Sequence, residues 1–425
     1  MKFRSDSAIV AGVGVLLLSV LTACGGGERK IVEPPPTGSS NFTLTVRPDA
    51  EDAGVAQQLG WIAGIPGAEV SVVQSGSGGS GQTFTTSATG TVSINALQSG
   101  TYRISVRRLF TGAETARLGA GSDAVAFVGE NEVAVSSSPG SATVSIPASY
   151  RRSLVISEWS FRLKYTPGGY STETAGFLEL YNNSAATVYL DGVIIADAYF
   201  QAVDYPNYSC ALTEPFRNDP AGLWTRFVAA FPGKGRDLPL APGANVVIAT
   251  DAIDHRAFDP DLVDLRGANF EFIGTADVDN PTVPNMIDYS LADPFGGHGL
   301  TFRSPLGGVT AVGAAVDPGT LMRSGVPPNG RQYLRVPRST LLDVMATGNQ
   351  FQLNDPTLTL CPQILNVAMD RKAGFFLLDS PTDYQQSIGR KVLMKLPGGR
   401  IILQHTRTSA NDYQRTPRTP GSMQE

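Results

Sequence analysis

Carboxylates are the side chains whose type and spacing in this chain come nearest to a chemical centre. Asp251, Asp254 and His255 fall within five residues, and Asp277, Asp279 and Asn280 form a second oxygen-rich loop. Two such turns brought together would suit a hard cation with oxygen ligands, calcium above all. The spacing lacks the Asp-x-Asp-x-Asp-Gly order of a calcium loop, and loop aspartates commonly cap turns instead. Asp251, Asp254, Asp277 and Asp279 are therefore candidate metal ligands, with calcium as the cofactor they would take, although no cofactor is firmly implied. Glu158 and Glu179 make a second pair, each inside a strand-like run. They serve as a cation site or acid–base dyad only if their separation and pKa values permit it. The preferred reading is that they satisfy backbone donors or pair across strands at a sheet end. Other catalytic grammar is missing. His255, His298 and His405 do not fall in H-E-x-x-H, no G-x-S-x-G surrounds Ser290 or Ser304, and the glycine-rich Ser75–Gly81 run lacks the lysine and helix of a phosphate loop. No catalytic residue is assigned, and the chain is not expected to be an enzyme.

The elements that would position these groups are mostly strands. In LVISEWSF, Leu154, Ile156 and Glu158 alternate with Val155, Ser157 and Trp159, followed by a run from Phe177 to Tyr181, a turn at Asn182-Asn183-Ser184 and a third run from Val188 to Ile195. That pattern predicts a β-meander. Ala241-Pro242-Gly243-Ala244 predicts a type II turn into the strand VVIAT, with Asp251 at its exit. Apolar spacing in Leu223–Phe231 and in Ser339–Ala346 predicts two short helices. Past His405 the apolar period fades, so 406–425 is expected to be a surface tail. Glycine at 46 and proline at 29 among 425 residues, with charged residues at only 17%, point to a turn-rich, mostly β chain long enough for two or three domains. A net charge of −5 argues against a nucleic-acid surface. Trp159, Tyr165, Tyr170, Tyr199 and Tyr205 are candidate ligand-binding rings, able to stack on a glycan or another extracellular ligand.

The N-terminus carries a targeting pattern. Lys2 and Arg4 precede an apolar run from Ala8 to Leu21, and Leu21-Thr22-Ala23-Cys24 resembles a bacterial lipobox. That resemblance implies a signal peptide over 1–24, lipidation of Cys24 and attachment to a membrane by several acyl chains. Gly25 lacks the aspartate that retains lipoproteins in the inner membrane of enteric bacteria, so the outer membrane is expected, with the periplasmic or extracellular face left open. Residues 25–41, with three consecutive prolines, read as a flexible tether. Lipidation would leave Cys210 and Cys361 as the remaining thiols in an oxidising compartment, and they are expected to pair; two buried free thiols are the alternative.

Residues 42–148 resemble transthyretin-like or carboxypeptidase-regulatory-like modules through Gly67-Ala68-Glu69-Val70, Thr89-Gly90-Thr91-Val92 and Leu97-Gln98-Ser99-Gly100-Thr101-Tyr102. An immunoglobulin-type β-sandwich is implied, with the Tyr102 ring buried. Residues 153–405 resemble a lamin-tail-like β domain with insertions, long loops and a few short helices, through ISEW and FLELYNNSAATVYLDG. FPGKGRDLPLAPGANVVIATDAIDHR, RQYLRVPRSTLLDV and SIGRKVLM extend the likeness to an uncharacterised family of outer-membrane lipoproteins frequent in Bacteroides and its relatives. The resemblance implies a surface binding or accessory module, beside a TonB-dependent transporter or another surface protein. The alternatives are a metal-dependent hydrolase or nuclease using Glu158, Glu179 and the Asp251 and Asp277 loops, and a structural or adhesive protein.

Overall fold

Alternating apolar residues build the first strands. β1 (Phe42–Pro48) buries Phe42, Leu44 and Val46. It is followed by β2 (Glu69–Gln74), β3 (Gln82–Thr85), β4 (Thr91–Ile94), β5 (Gly100–Leu109), β6 (Ala124–Val135), β7 (Gly140–Ile146) and β8 (Ala148–Tyr150). These form a three-stranded sheet, β4-β1-β7, and a five-stranded sheet, β3-β2-β5-β6-β8. One core holds Leu44, Ile94 and Val144 from the first sheet with Val70, Ile104 and Phe127 from the second. Each aliphatic side chain removed from water contributes about 1.5–3 kcal/mol. The Tyr102 ring is buried as expected, and its hydroxyl donates to the Gln98 carbonyl at 3.0 Å. Two helices, α1 (Ala53–Leu59) and α2 (Gly112–Leu118), interrupt the strand order. A reciprocal Thr111–Glu114 capping box starts α2.

The structure, a computed structural model, describes residues 41–76, 81–95, 97–119, 121–136, 139–160, 175–198, 210–272, 279–291, 308–324, 332–349, 361, 364–376 and 386–422. Cys24, Tyr165, Tyr170, Tyr199, Tyr205 and Asp277 lie outside them.

A second sandwich starts at β9 (Leu154–Ser160), all seven of whose residues are buried. Its further strands are β10 (Phe177–Asn182), β11 (Val188–Tyr189), β12 (Ile194–Ala198), β13 (Gly222–Thr225), β14 (Phe227–Ala230), β15 (Pro239–Leu240), β16 (Asn245–Ala249), β17 (Phe270–Glu271), β18 (Ile287–Asp288), β19 (Gly308–Gly313), β20 (Met322–Arg323), β21 (Leu334–Pro337), β22 (Leu341–Asn349), β23 (Gly374–Phe376), β24 (Gln386–Arg390), β25 (Val392–Lys395), β26 (Ile401–Leu403) and β27 (Tyr413–Pro417). One six-stranded sheet runs β17-β16-β10-β9-β24-β27 and the other β18-β14-β12-β19-β22-β23. The main core joins Ile156, Leu178, Ile248 and Ile388 of the first to Ile195, Val312 and Met345 of the second. A small sheet, β13-β21-β20, supplies Leu223, Leu334 and Val336 to a further cluster with Ile194, Ala196 and Ala311 of the second sheet. Helix α3 (Cys210–Arg217) belongs to that layer, with Phe216 against Trp224 and Tyr333 at ring distances of 5.5 and 4.8 Å.

Four local expectations change. The predicted helix at Leu223–Phe231 is the strand pair β13 and β14, every residue of β13 being buried. A strand covered on both faces has no polar alternation, so its apolar spacing imitates a helix. Ser339–Ala346 likewise enters a single 3-10 turn, Arg338–Thr340, and then β22. The expected meander is broken: β10 continues to β16, while the third run divides into β11, paired with β15, and β12, which crosses to the second sheet. The C-terminal stretch expected as a surface tail instead forms a short helix, α4 (Ser409–Asp412), and the edge strand β27, with Tyr413 buried.

The two sandwiches are sewn together by side chains from both. Ala126 of β6 packs with Leu393 and Ile402, and Arg107 Nη2 donates to the Leu393 carbonyl at 2.6 Å. Arg371 Nη1 donates to Asp49 at 3.0 Å and Asp52 at 2.8 Å, and the Tyr150 N–H donates to the His405 carbonyl at 2.9 Å.

Candidate functional site

Regular alternation along β9 would put Glu158 on the same face as Leu154 and Ile156. The strand carries a β-bulge instead: Glu179 of β10 pairs with Glu158, whereas the next residue, Leu180, pairs with Ile156, leaving Ser157 extra. One added residue reverses which face the following side chains occupy. Trp159 thereby joins Leu154 and Ile156 in the core between the sheets, at 4% exposure. Trp159 is thus a packing residue, which corrects its assignment to a ligand-stacking surface. Glu158 turns to the opposite, outer face. Glu179 lies between the core residues Leu178 and Leu180 and shares that outer face. Side chains directly opposed in this way have Cβ atoms about 4.5–5.5 Å apart.

Both carboxylates are buried, at 3% and 1% exposure, and both accept from neutral donors. Glu158 accepts from the Ser387 hydroxyl at 2.5 Å, the Thr419 N–H at 3.1 Å and the Thr419 hydroxyl at 3.3 Å. Glu179 accepts from the Ser157 hydroxyl at 2.8 Å and the Gly421 N–H at 2.8 Å. The main-chain donors belong to one turn. Thr419-Pro420-Gly421-Ser422 closes with the Ser422 N–H donating to the Thr419 carbonyl at 2.9 Å, and Gly421 takes a φ of 78°. Proline then glycine at the centre is the type II preference, since only glycine enters that region without strain. The glutamate pair therefore clips the C-terminal turn onto the sheet, the backbone-donor role that the sequence favoured.

A cavity of about 320 Å³ adjoins the pair, lined also by Gly389, Lys391, Gln404, Gln414 and Thr416. Burial raises the pKa of both carboxyls. Glu179 is pushed up to about 7, first by burial and further by the neighbouring Glu158, against the pull of its hydrogen bonds. Burial likewise raises Glu158 despite the bonds from Ser387 and Thr419. Near neutrality the pair can hold a proton, and its remaining chemistry is that of an acceptor for hydrogen-bond donors.

The acidic loops meet, though protein groups join them. Asn280 Nδ2 donates to the Ala252 carbonyl at 2.7 Å, and the Glu271 carboxylate accepts from the Ala252 N–H at 2.9 Å and the Asn280 N–H at 3.0 Å. Asp254 caps the turn at Arg256 and ion-pairs with Arg256 at 2.7 Å and Arg266 at 3.1 Å, so the Arg256 bond holds its carboxyl below the usual range. Asp251 is buried and its carbonyl meets His255 Nε2 at 3.0 Å. Asp279 accepts from Asn285 at 2.7 Å. Among the described residues no group of three or more His, Cys, Asp or Glu side chains is arranged to hold a metal. Cys210 and Cys361 are joined by a disulfide, their Cα atoms 5.3 Å apart.

Sequence reasoning missed Glu271, which sits between Phe270 and Phe272 a few residues before the Asp277 loop and reads as part of an apolar run, and a buried ionic group behind β9. There Arg390 donates to the Ile156 carbonyl at 2.7 Å, the Gln404 carbonyl at 3.0 Å, Asp343 and the Tyr413 hydroxyl. Its members are too far apart in sequence to form a motif.

Residues 241–419 match a family described as "Protein of unknown function (DUF4876)". Among solved structures, a DUF4876 family protein from Bacteroides thetaiotaomicron is similar at 16% identity and a TM-score of 0.50, covering 88% of this chain and 94% of that one. At that identity the likeness is one of fold. A DUF3823 family protein from Parabacteroides merdae is similar at 9% identity and a TM-score of 0.18, covering 72% of this chain and 98% of that one. No curated protein matches the chain.

Proposed function

We propose that the protein is a lipid-anchored outer-membrane or cell-surface module that binds a ligand or partner and performs no chemistry of its own. The observation that carries this reading is the engagement of Glu158 and Glu179 by Ser387, Ser157 and the chain's own Thr419–Ser422 turn. A catalytic pair needs lone pairs directed at substrate, and these meet hydroxyls and main-chain N–H groups of the chain itself. The lipobox-like Leu21-Thr22-Ala23-Cys24 supplies the anchor and residues 25–41 the spacer. Glycans and transporter proteins are the partner classes that such a surface position favours.

The test is fractionation of cells making the full chain or its Cys24→Ala variant, with polysaccharide binding measured in parallel. The anchored reading expects the full chain in the membrane fraction with an acylated N-terminus, and the variant released. Hydrolysis of a phosphodiester or glycoside, with or without calcium, that is lost in Glu158→Gln or Glu179→Gln would overturn the binding reading in favour of the enzyme one.

A further inference from the structure

A second cavity, of about 130 Å³, opens where the two sandwiches meet; its polar lining is Arg152, Arg338, Arg407, Asp343 and His405, and the rest is apolar, Leu341 and Met369 among it. Asp343 is held by Arg390, so its charge is already matched from the far side. Arg152 and Arg338 make no ion pair among the described residues. Arg407 meets Glu51 and Asp52 only at 3.4 and 3.7 Å. Its Nε and the Nδ1 of His405 are buried without a hydrogen-bond partner in the structure. His405 is itself 3% exposed, and its other nitrogen, Nε2, donates to Asp343 Oδ1 at 3.1 Å. Unmet polar atoms in such a place are rare and point to a missing partner.

The backbone gives an independent sign. Arg407 is the one non-glycine residue among those described with a positive φ, 58°. Strained residues of this kind persist where the surroundings over-determine them, and they gather at ligand sites. Here the surroundings do so. The His405 N–H donates to Ser149 Oγ at 3.0 Å and the Thr406 N–H to Asp412 at 2.7 Å, while the carbonyls of His405 and Arg407 accept from the Tyr150 and Arg371 N–H groups at 2.9 Å each.

We propose that this cavity binds one small oxyanion group, a phosphate, sulfate or carboxylate. Three guanidinium forks suit planar or tetrahedral oxyanions, which they grip through paired charge-assisted bonds. The volume admits one such group and not a whole sugar. A hydroxyl beside the anion, or the proton of a hydrogen phosphate, completes the set by meeting His405 Nδ1. The anion is either free in solution or carried by an acidic saccharide. The inference goes beyond the anchored-module reading and does not depend on Cys24.

The test is calorimetric titration of the full chain in detergent with inorganic phosphate, sulfate and glucuronate, repeated on Arg152→Gln, Arg338→Gln and Arg407→Gly. The first two alter exposed side chains, and glycine accepts the backbone of the third. Saturable binding of at least one anion, weakened about ten-fold or more by each variant with the melting temperature kept, supports the site. Stronger binding of phosphate or sulfate than of glucuronate identifies a free-anion site, and the reverse identifies an acidic-saccharide site. Absence of saturable binding by all three anions up to tens of millimolar, or binding indifferent to all three variants, overturns the proposal.

Discussion

Glu179→Gln should stabilise the protein at alkaline pH and flatten part of its stability–pH curve. The Glu179 carboxyl is pushed up to about 7 in the folded chain, from an ordinary value of 4.5, because burial opposes its charge and Glu158 repels it. The folded state therefore holds this proton more tightly than the unfolded state does. Its stabilising effect is complete below about 4.5 and is lost as pH rises through about 7. The whole shift corresponds to about 3 kcal/mol at pH 8. Glutamine cannot ionise, yet it can fill the same bonds. Its oxygen can accept from the Gly421 N–H, and its amide can donate to Ser157 Oγ, whose proton already reaches the Glu179 carbonyl at 3.1 Å. Urea unfolding of both proteins from pH 4 to 8.5 measures the effect. The variant should gain about 1–3 kcal/mol over wild type at pH 8 and little at pH 4.5. Asp370 and Asp197, raised by burial to about 7 and about 8, titrate in both proteins, so the difference between the curves reports Glu179 together with its repulsion of Glu158. Parallel curves, or a variant weakened more at pH 8 than at pH 4.5, would refute the reasoning.

Reduction of the Cys210–Cys361 bond, or serine at both positions, should lower stability by up to about 5 kcal/mol, because the bond closes a 151-residue separation; thermal melts with and without reductant measure it. Asp343→Ala removes a partner of the buried Arg390 and should cost about 3–5 kcal/mol by chemical unfolding, well above the cost of deleting one exposed charge. In the first sandwich, Gly90→Ala meets two obstacles, a φ of 76° and a Cβ placed 2.6 Å from Gly64 backbone atoms. A loss of about 2 kcal/mol or more is expected in the same assay, and a neutral result would contradict the close approach of these two chain segments.

Sequence alone determined whatever depends on local pattern. Alternation in FTLTVRP and EVSVVQ, with glycine-rich turns between runs, made β1, β2 and their neighbours legible, as the Pro242-Gly243 turn made β16 legible. It also singled out Glu158 and Glu179 as strand residues and Cys210 with Cys361 as a pair. Tertiary structure decided the rest, wherever the deciding partner was remote in the chain. β13, β14 and β22 looked helical because packing buries them in ways that erase polar alternation. The bulge at Ser157, which no local pattern announces, put Trp159 in the core and Glu158 on the outer face. The occupants of the glutamate pair come from Ser387 and the Thr419–Ser422 turn, more than two hundred residues downstream of Glu158. His405 and its arginines converge only because the Gln404–Thr408 loop is pinned between the two sandwiches. A sequence records which side chains could accept a proton or grip an anion; burial and the nearest charge set whether they do, and both are properties of the folded chain.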